Sequence, residues 1–196
     1  MDDRKAHLAR AVKSYRKKVA WSLDRAARET GVSKAMLGQI ERQESSPTID
    51  TLWKIATGFS VSLSSLLEPS PDSVTTTEIK TLDDLRRDPA DEGMSTALVF
   101  PYEPRFGFEY FELILRPGYQ RISQPHEAGV VEHIVVTQGK LGVLIDGDWR
   151  SLEAGEAIRF AADREHGYRN RTNREVVFQL VIHYPSKEAR LAPEEV

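Results

Sequence analysis

The chain has no cysteine among its 196 residues. That excludes a disulfide framework and any thiolate metal site. It also lacks the start of a secretory signal. MDDRKAHLAR opens with two acids and has neither a basic start nor an apolar core. No apolar run approaches the roughly 20 residues that a membrane helix needs. The expectation is a cytoplasmic protein with no membrane partner. Composition is otherwise that of a globular chain, with 40% hydrophobic and 29% charged residues. A net charge of −3 conceals an asymmetry: residues 1–68 hold 12 Lys/Arg and 8 Asp/Glu, a balance of +4, and the remainder holds 15 and 22, a balance of −7. A basic first third on an acidic body suggests that this third meets a polyanion.

Two kinds of pattern divide the chain. Up to residue 67, apolar residues recur at helical steps: Leu8, Ala11, Tyr15; Leu23, Ala26, Ala27; Met36, Leu37, Ile40; Leu52, Ile55, Ala56. Ser22, Ser33 and Thr48 are expected N-caps, Gly31 and Gly58 expected C-termini, and Leu63–Leu67 a last short helix. EPSPDSVTTT, from Glu68 to Thr77, reads as a linker. Beyond it, after a small helix at Thr81–Arg87, come short strand-like runs: Phe108–Leu115, Val130–Gln138, Leu141–Ile145, Ala157–Phe160 and Val176–Tyr184. Gly/Pro turns such as DGD at 146–148 separate them. The fold class is therefore α + β in two domains. An all-α five-helix domain spans 1–68, a linker 69–77, an all-β sandwich or barrel 78–186, and a polar tail 187–196.

In WSLDRAARETGVSKAMLGQIER, one helix ends at Thr30, Gly31 turns, Val32 packs inward and Ser33 caps the next helix. Two helices joined by a tight glycine turn form a helix-turn-helix. Met36, Leu37 and Ile40 share one arc of the second helix; Lys34, Ala35, Gly38, Gln39 and Arg42 share the other. A lysine, a small residue and a glutamine suit a helix entering the major groove of double-stranded DNA. An amphipathic hairpin with a merely wet polar face fits the same pattern. GVSKAMLGQIER, the loop QESSPTIDTL and the helix WKIATGF resemble the lambda-repressor/Cro-like (XRE) family of helix-turn-helix proteins. That resemblance implies base contacts from Lys34, Ala35 and Gln39, with Met36 at their edge. It places Ser22, Lys54 and the loop around Ser45 and Thr48 at the phosphates. Ser33 and Arg42 complete the expected DNA-binding set. It also pairs Arg16 with Glu41.

The second half carries Gly118, five residues, Gln124-Pro125-His126, then Glu132, six residues, Gly139; further on come Gly155, His166, three residues and Asn170. This spacing resembles the two motifs of the cupin superfamily, whose fold is an antiparallel jelly-roll that commonly holds a metal on three histidines and a glutamate. Carried over, the ligand positions are Gln124, His126, Glu132 and His166. Gln124 stands where the family has its first histidine, the gap from His126 to Glu132 is five residues, one longer than the family's, and Ala161 and Asp163 replace a proline and a glycine. Two imidazoles and a carboxylate suit a divalent metal, zinc foremost, with iron, manganese or nickel as alternatives. A metal-free pocket in which these residues bond one another or an organic ligand is the other reading. Alternation places Ile134, Tyr168 and Phe178 in a ligand-binding lining. His133 faces away from Glu132, and His7 and His183 read as surface or packing residues.

Together the halves resemble a bacterial regulator architecture. What it implies is a homodimer on an inverted-repeat operator, a small-molecule effector inside the barrel, and no catalytic role. The alternative is a cupin dioxygenase or isomerase with a DNA-binding arm, and a third reading is a degenerate cupin that only dimerises.

Overall fold

The computed structural model describes residues 2–67, 79–87 and 93–185. The linker Glu68–Thr77 and the tail 187–196 lie outside them. Five helices open the chain: α1 Asp2–Lys18, α2 Leu23–Thr30, α3 Lys34–Glu41, α4 Ile49–Phe59 and α5 Leu63–Leu67. The expected caps form. The hydroxyls of Ser22, Ser33 and Thr48 accept from the amides of Arg25, Met36 and Thr51. Gly31 closes α2 at φ 67°, a left-handed turn that glycine adopts without penalty.

Gly58 is a correction. It lies inside α4, and the left-handed cap is Ser60 at φ 55°. The glycine serves packing instead, since a Cβ at 58 would stand 2.6 Å from the Cα of Thr30. Gly58 is what lets α4 cross α2 so closely.

The rest is α6, Leu82–Leu85, followed by ten strands: β1 Arg86–Arg87, β2 Met94–Glu103, β3 Phe108–Leu115, β4 Gln120–Ser123, β5 Val131–Gln138, β6 Lys140–Ile145, β7 Asp148–Glu153, β8 Ala157–Ala161, β9 His166–Arg169 and β10 Val176–His183. They form a six-stranded sheet, β1-β2-β3-β10-β5-β8, facing a four-stranded one, β4-β9-β6-β7. Every pairing is antiparallel. This is the jelly-roll expected of the second half. The Thr81–Arg87 helix is shorter than expected, because Arg86 and Arg87 leave it to pair with Ala97 and Thr96.

The helical and β halves share one hydrophobic core. Trp53 of α4 meets Phe111 of β3 with ring centroids 5.6 Å apart. The buried Glu109 carboxylate of β3 accepts from the Leu63 and Ser64 amides of α5 at 3.3 and 3.0 Å, and from the Tyr184 hydroxyl at 2.5 Å. The Tyr102 amide donates to Ser64 Oγ at 2.8 Å. The helical domain is thus packed directly onto the barrel.

Candidate functional site

At one end of the barrel, β5 and β9 bring Glu132 and His166 together, and the loop after β4 adds His126. Their ligand atoms all lie within 4.8 Å of one another. His126 Nε2 is 3.1 Å and His166 Nε2 3.4 Å from Glu132 Oε1. Glu132 and His166 are each 1% exposed, so this polar group is cut off from water. Its hydrogen bonds must come from within. Tyr168 donates to Glu132 Oε2. His166 Nδ1 donates to the Arg164 carbonyl at 2.9 Å. That bond fixes the tautomer, so a neutral His166 turns its Nε2 lone pair at a carboxylate oxygen. Only a proton or a metal cation between them makes such a pair favourable. Burial alone would raise the Glu132 carboxyl, but His166 and His126 outweigh it and hold the group well below the ordinary carboxylate range. Burial would lower His166, and Glu132 outweighs that to raise it. The donor set therefore fits a divalent metal.

Gln124 is not part of this cluster. β4 ends at Ser123, and Gln124 sits exposed in the following loop. Two positions apart, Gln124 and His126 would both turn inward from one strand, but neither lies on a strand here. His126 reaches the site from a loop whose amide donates to the Ala162 carbonyl at 2.9 Å. The beginning of that loop carries Gln124 outward.

Beside the cluster lies a cavity of about 10 Å³, space on the order of one water molecule or ion. Trp53, Leu113, Arg121, Ser123, His126, Glu132, Tyr168 and Leu180 line it. Of the three expected lining residues, Tyr168 is there. Ile134 and Phe178 are buried behind it in the core, where Phe178 packs on Tyr168 at 5.3 Å. The sequence reading missed Arg121 and Trp53. Arg121 is 9% exposed, with its Nε 3.4 Å from Asp50 Oδ1 of α4 and its guanidinium 5.3 Å from the Trp53 ring centroid. Alternation along the four-residue β4 could have placed Arg121 inward. Nothing local could have shown that α4 forms the roof.

His133 lies outside the cluster, on the other face of β5 from Glu132. His183 is exposed, and His7 is half-buried on α1.

On the helical domain, Lys34, Ala35 and Gln39 are exposed on α3, as are the caps Ser22 and Ser33 and the following Arg42. Met36 is half-buried, with Ser45 Oγ 3.5 Å from its sulfur. Gly38 leaves the expected outer face: it is buried, and the Arg42 guanidinium lies over it. Lys34 pairs with Asp24 at 2.9 Å and Arg42 with Glu44 at 2.7 Å. Thr48 is half-buried, and Lys54 is exposed and pairs with Asp50, one turn before it, at 2.7 Å. Arg16 and Glu41 form the expected pair, bidentate at 2.6 and 2.8 Å. No helix among the described residues is long and apolar enough to cross a membrane.

Comparison with known proteins finds the same two domains. A helix-turn-helix (HTH_3) family model matches residues 12–66, and a cupin domain model matches residues 111–183. HTH-type transcriptional regulator SutR of Escherichia coli (strain K12) is 46% identical over 185 residues, covering 94% of this chain and 99% of that protein. The crystal structure of an HTH_3 family transcriptional regulator from Vibrio cholerae superposes with a TM-score of 0.77 at 43% identity, covering 93% of this chain and 97% of that one. The chain belongs to the XRE-type family of helix-turn-helix transcriptional regulators that carry a C-terminal cupin domain.

Proposed function

We propose that the protein is a cytoplasmic regulator that binds an inverted-repeat operator as a homodimer and senses a small molecule in its cupin cavity. On this reading it is a sensor, not an enzyme, as the name of its Escherichia coli relative suggests. The observation that carries the proposal is the roof of the cavity: Trp53, on a helix of the DNA-binding domain, lines the same space as His126 and Glu132. A ligand there touches both domains at once. It can favour one placement of the helical domain over another by its different affinity for the two.

On the DNA side, Lys34, Ala35 and Gln39 read base edges, with Met36 beside them. Ser22, Ser33, Arg42, Thr48 and Lys54 hold the backbone. Lys34 and Arg42 exchange their intramolecular acids for DNA, so affinity falls steeply as salt rises. In the cavity, His126, Glu132 and His166 hold a divalent metal, zinc foremost. Such an ion supplies open coordination positions for a ligand's donor atom. Tyr168 fixes the Glu132 carboxylate, and the Arg164 carbonyl fixes the His166 ring.

Selection from random duplexes followed by binding at several salt concentrations tests the DNA half. The expected result is a palindromic sequence whose recognition weakens about tenfold or more in Gln39→Ala and Lys34→Ala, with nonspecific binding less affected. Selected sequences without two-fold symmetry, or unchanged recognition in both variants, would overturn it. Elemental analysis of protein purified without an affinity metal tests the other half. The expected result is about one zinc per chain, lost in His126→Ala/His166→Ala; a metal-free parent protein would overturn the metal site.

A further inference from the structure

The cavity contains a charge that its surroundings leave unfinished. The guanidinium of Arg121 is taken out of water, which is costly unless its donors are used. Glu132, the carboxylate that lines the same cavity, is already committed to Tyr168, His126 and His166. Arg121 is left with Asp50, across the domain boundary, at an ion-pair distance of 3.4 Å without a hydrogen bond. Asp50 is itself shared, because Lys54 holds its other oxygen at 2.7 Å. A second donor is also unused: Trp53 Nε1 is buried with no partner. Two residues that line one cavity thus present N–H donors without acceptors, and one of them is a cation.

We propose that Arg121 anchors the effector of this cavity by binding an oxyanion group in place of Asp50, so that the cavity selects small anions and α4 reads their arrival. The proposal rests on the reading that the cavity senses a small molecule, and it names the ligand's chemical class and the residue that holds it. A guanidinium presents a planar fork of donors, and an oxyanion completes it with two short charge-assisted bonds that Asp50 does not make here. The exchange carries information because of where Asp50 and Trp53 lie. Both belong to α4, whose N-cap Thr48 and whose Lys54 fall at the expected phosphate contacts. The cavity holds about one water's volume, so an organic anion enters only as Trp53 gives way. Release of Asp50 leaves that carboxylate to Lys54 alone, which removes a cation from the DNA-facing edge of the helix.

The full-length chain carrying Trp21→Phe and Trp149→Phe keeps Trp53 as its only tryptophan and reports on the roof by fluorescence. Sodium acetate and inorganic phosphate are titrated separately at fixed ionic strength, with ethylammonium chloride as the cationic control. The expected result is a saturable change with at least one anion and none with ethylammonium; which anion saturates tells a planar from a tetrahedral group. Arg121→Met should weaken the midpoint about tenfold or more, and Arg121→Lys, which keeps the charge and loses the fork, by less. Asp50→Asn should tighten it, because the internal competitor is gone, and the anion should then raise the melting temperature more than in the parent. Equal midpoints in Arg121→Met and the parent, a weaker midpoint in Asp50→Asn, or no response to either anion would overturn the proposal. Zinc chloride alone separates the two readings, since His126 lies 6.0 Å from Trp53. A zinc response without an anion response leaves the cavity as a sensor and removes Arg121 as its anchor. Silence to both removes the sensing cavity as well.

Discussion

The joint inside the helical domain and the joint between that domain and the barrel each turn on an arginine and a carboxylate, and they are built in opposite ways. Arg16 and Glu41 meet in a bidentate pair, and Arg16 also donates to the Trp21 carbonyl at 3.0 Å. That pair ties α1 to the end of α3 with its donors in use. Arg121 and Asp50 are held at a looser 3.4 Å, with Asp50 divided between two cations. A satisfied ion pair fixes one geometry, whereas an incompletely satisfied buried charge can change partner. The first joint holds α3 against α1, and on the proposed reading the second is where the domains move.

The barrel joint also has a fixed element, Glu109, and its loss should have the largest effect. Glu109→Ala strands two amides of α5 and the Tyr184 hydroxyl in the core. The expected loss is about 3 kcal/mol in urea unfolding, because buried donors are left without an acceptor. A change under about 1 kcal/mol would show that α5 does not dock there in solution. Next comes Glu41→Ala, which should cost about 2 kcal/mol by leaving a part-buried guanidinium unpaired. An unchanged melting curve would reduce the Arg16 pair to two solvated charges and erase the contrast.

Glu109 and Glu132 respond to acid in opposite senses, since their environments push them apart. Burial holds Glu109 above the ordinary 4.5 despite its three donors. The folded state then keeps that proton longer than the unfolded one, so this contribution to stability declines as pH rises above 4.5. Glu132, against burial, is held below 4.5 by His166 and His126. Its contribution is present above 4.5 and is lost as pH falls below it. In metal-free protein, the fall in melting temperature that begins above 4.5 should disappear in Glu109→Gln, leaving the fall above 6.5 that the raised His166 contributes, and the curve should flatten on the acid side in Glu132→Gln. Parallel pH profiles in the two variants would contradict the assignment. The smallest effect is expected from Arg121→Met, within about 1 kcal/mol of the parent, because an apolar chain replaces an incompletely satisfied cation and Asp50 keeps Lys54. A loss comparable to that of Glu41→Ala would make the two arginines equivalent.

Local features of the sequence were readable because each depends on close neighbours. Ser22, Ser33 and Thr48 cap helices through bonds three residues long, and His126, Glu132 and His166 stand at motif spacings that a jelly-roll brings together. The strands missed are those whose pattern is weak. β2 contains Pro101 and is buried on both faces over its first half. β4 and β9 have four residues each, and β7 alternates poorly because most of it is exposed. Gln124 was misplaced because spacing fixes order along the chain, not where a strand ends. The domain interface left no trace in the sequence. Glu109 meets Leu63 and Ser64 across 46 and 45 positions, and Asp50 meets Arg121 across an even longer stretch. Such contacts carry no periodicity, and a polar linker between two good domain patterns suggests independence.

On the proposed reading, the barrel site and the DNA-binding surface are energetically coupled through α4. Coupling is reciprocal, so DNA must alter the barrel as much as the barrel alters DNA binding. The direct measurement is the zinc affinity of the full chain with and without a saturating selected duplex. The expected affinities differ about fivefold or more, with the difference abolished in Trp53→Ala. The same zinc affinity in both states, or no zinc bound in either, would contradict that coupling.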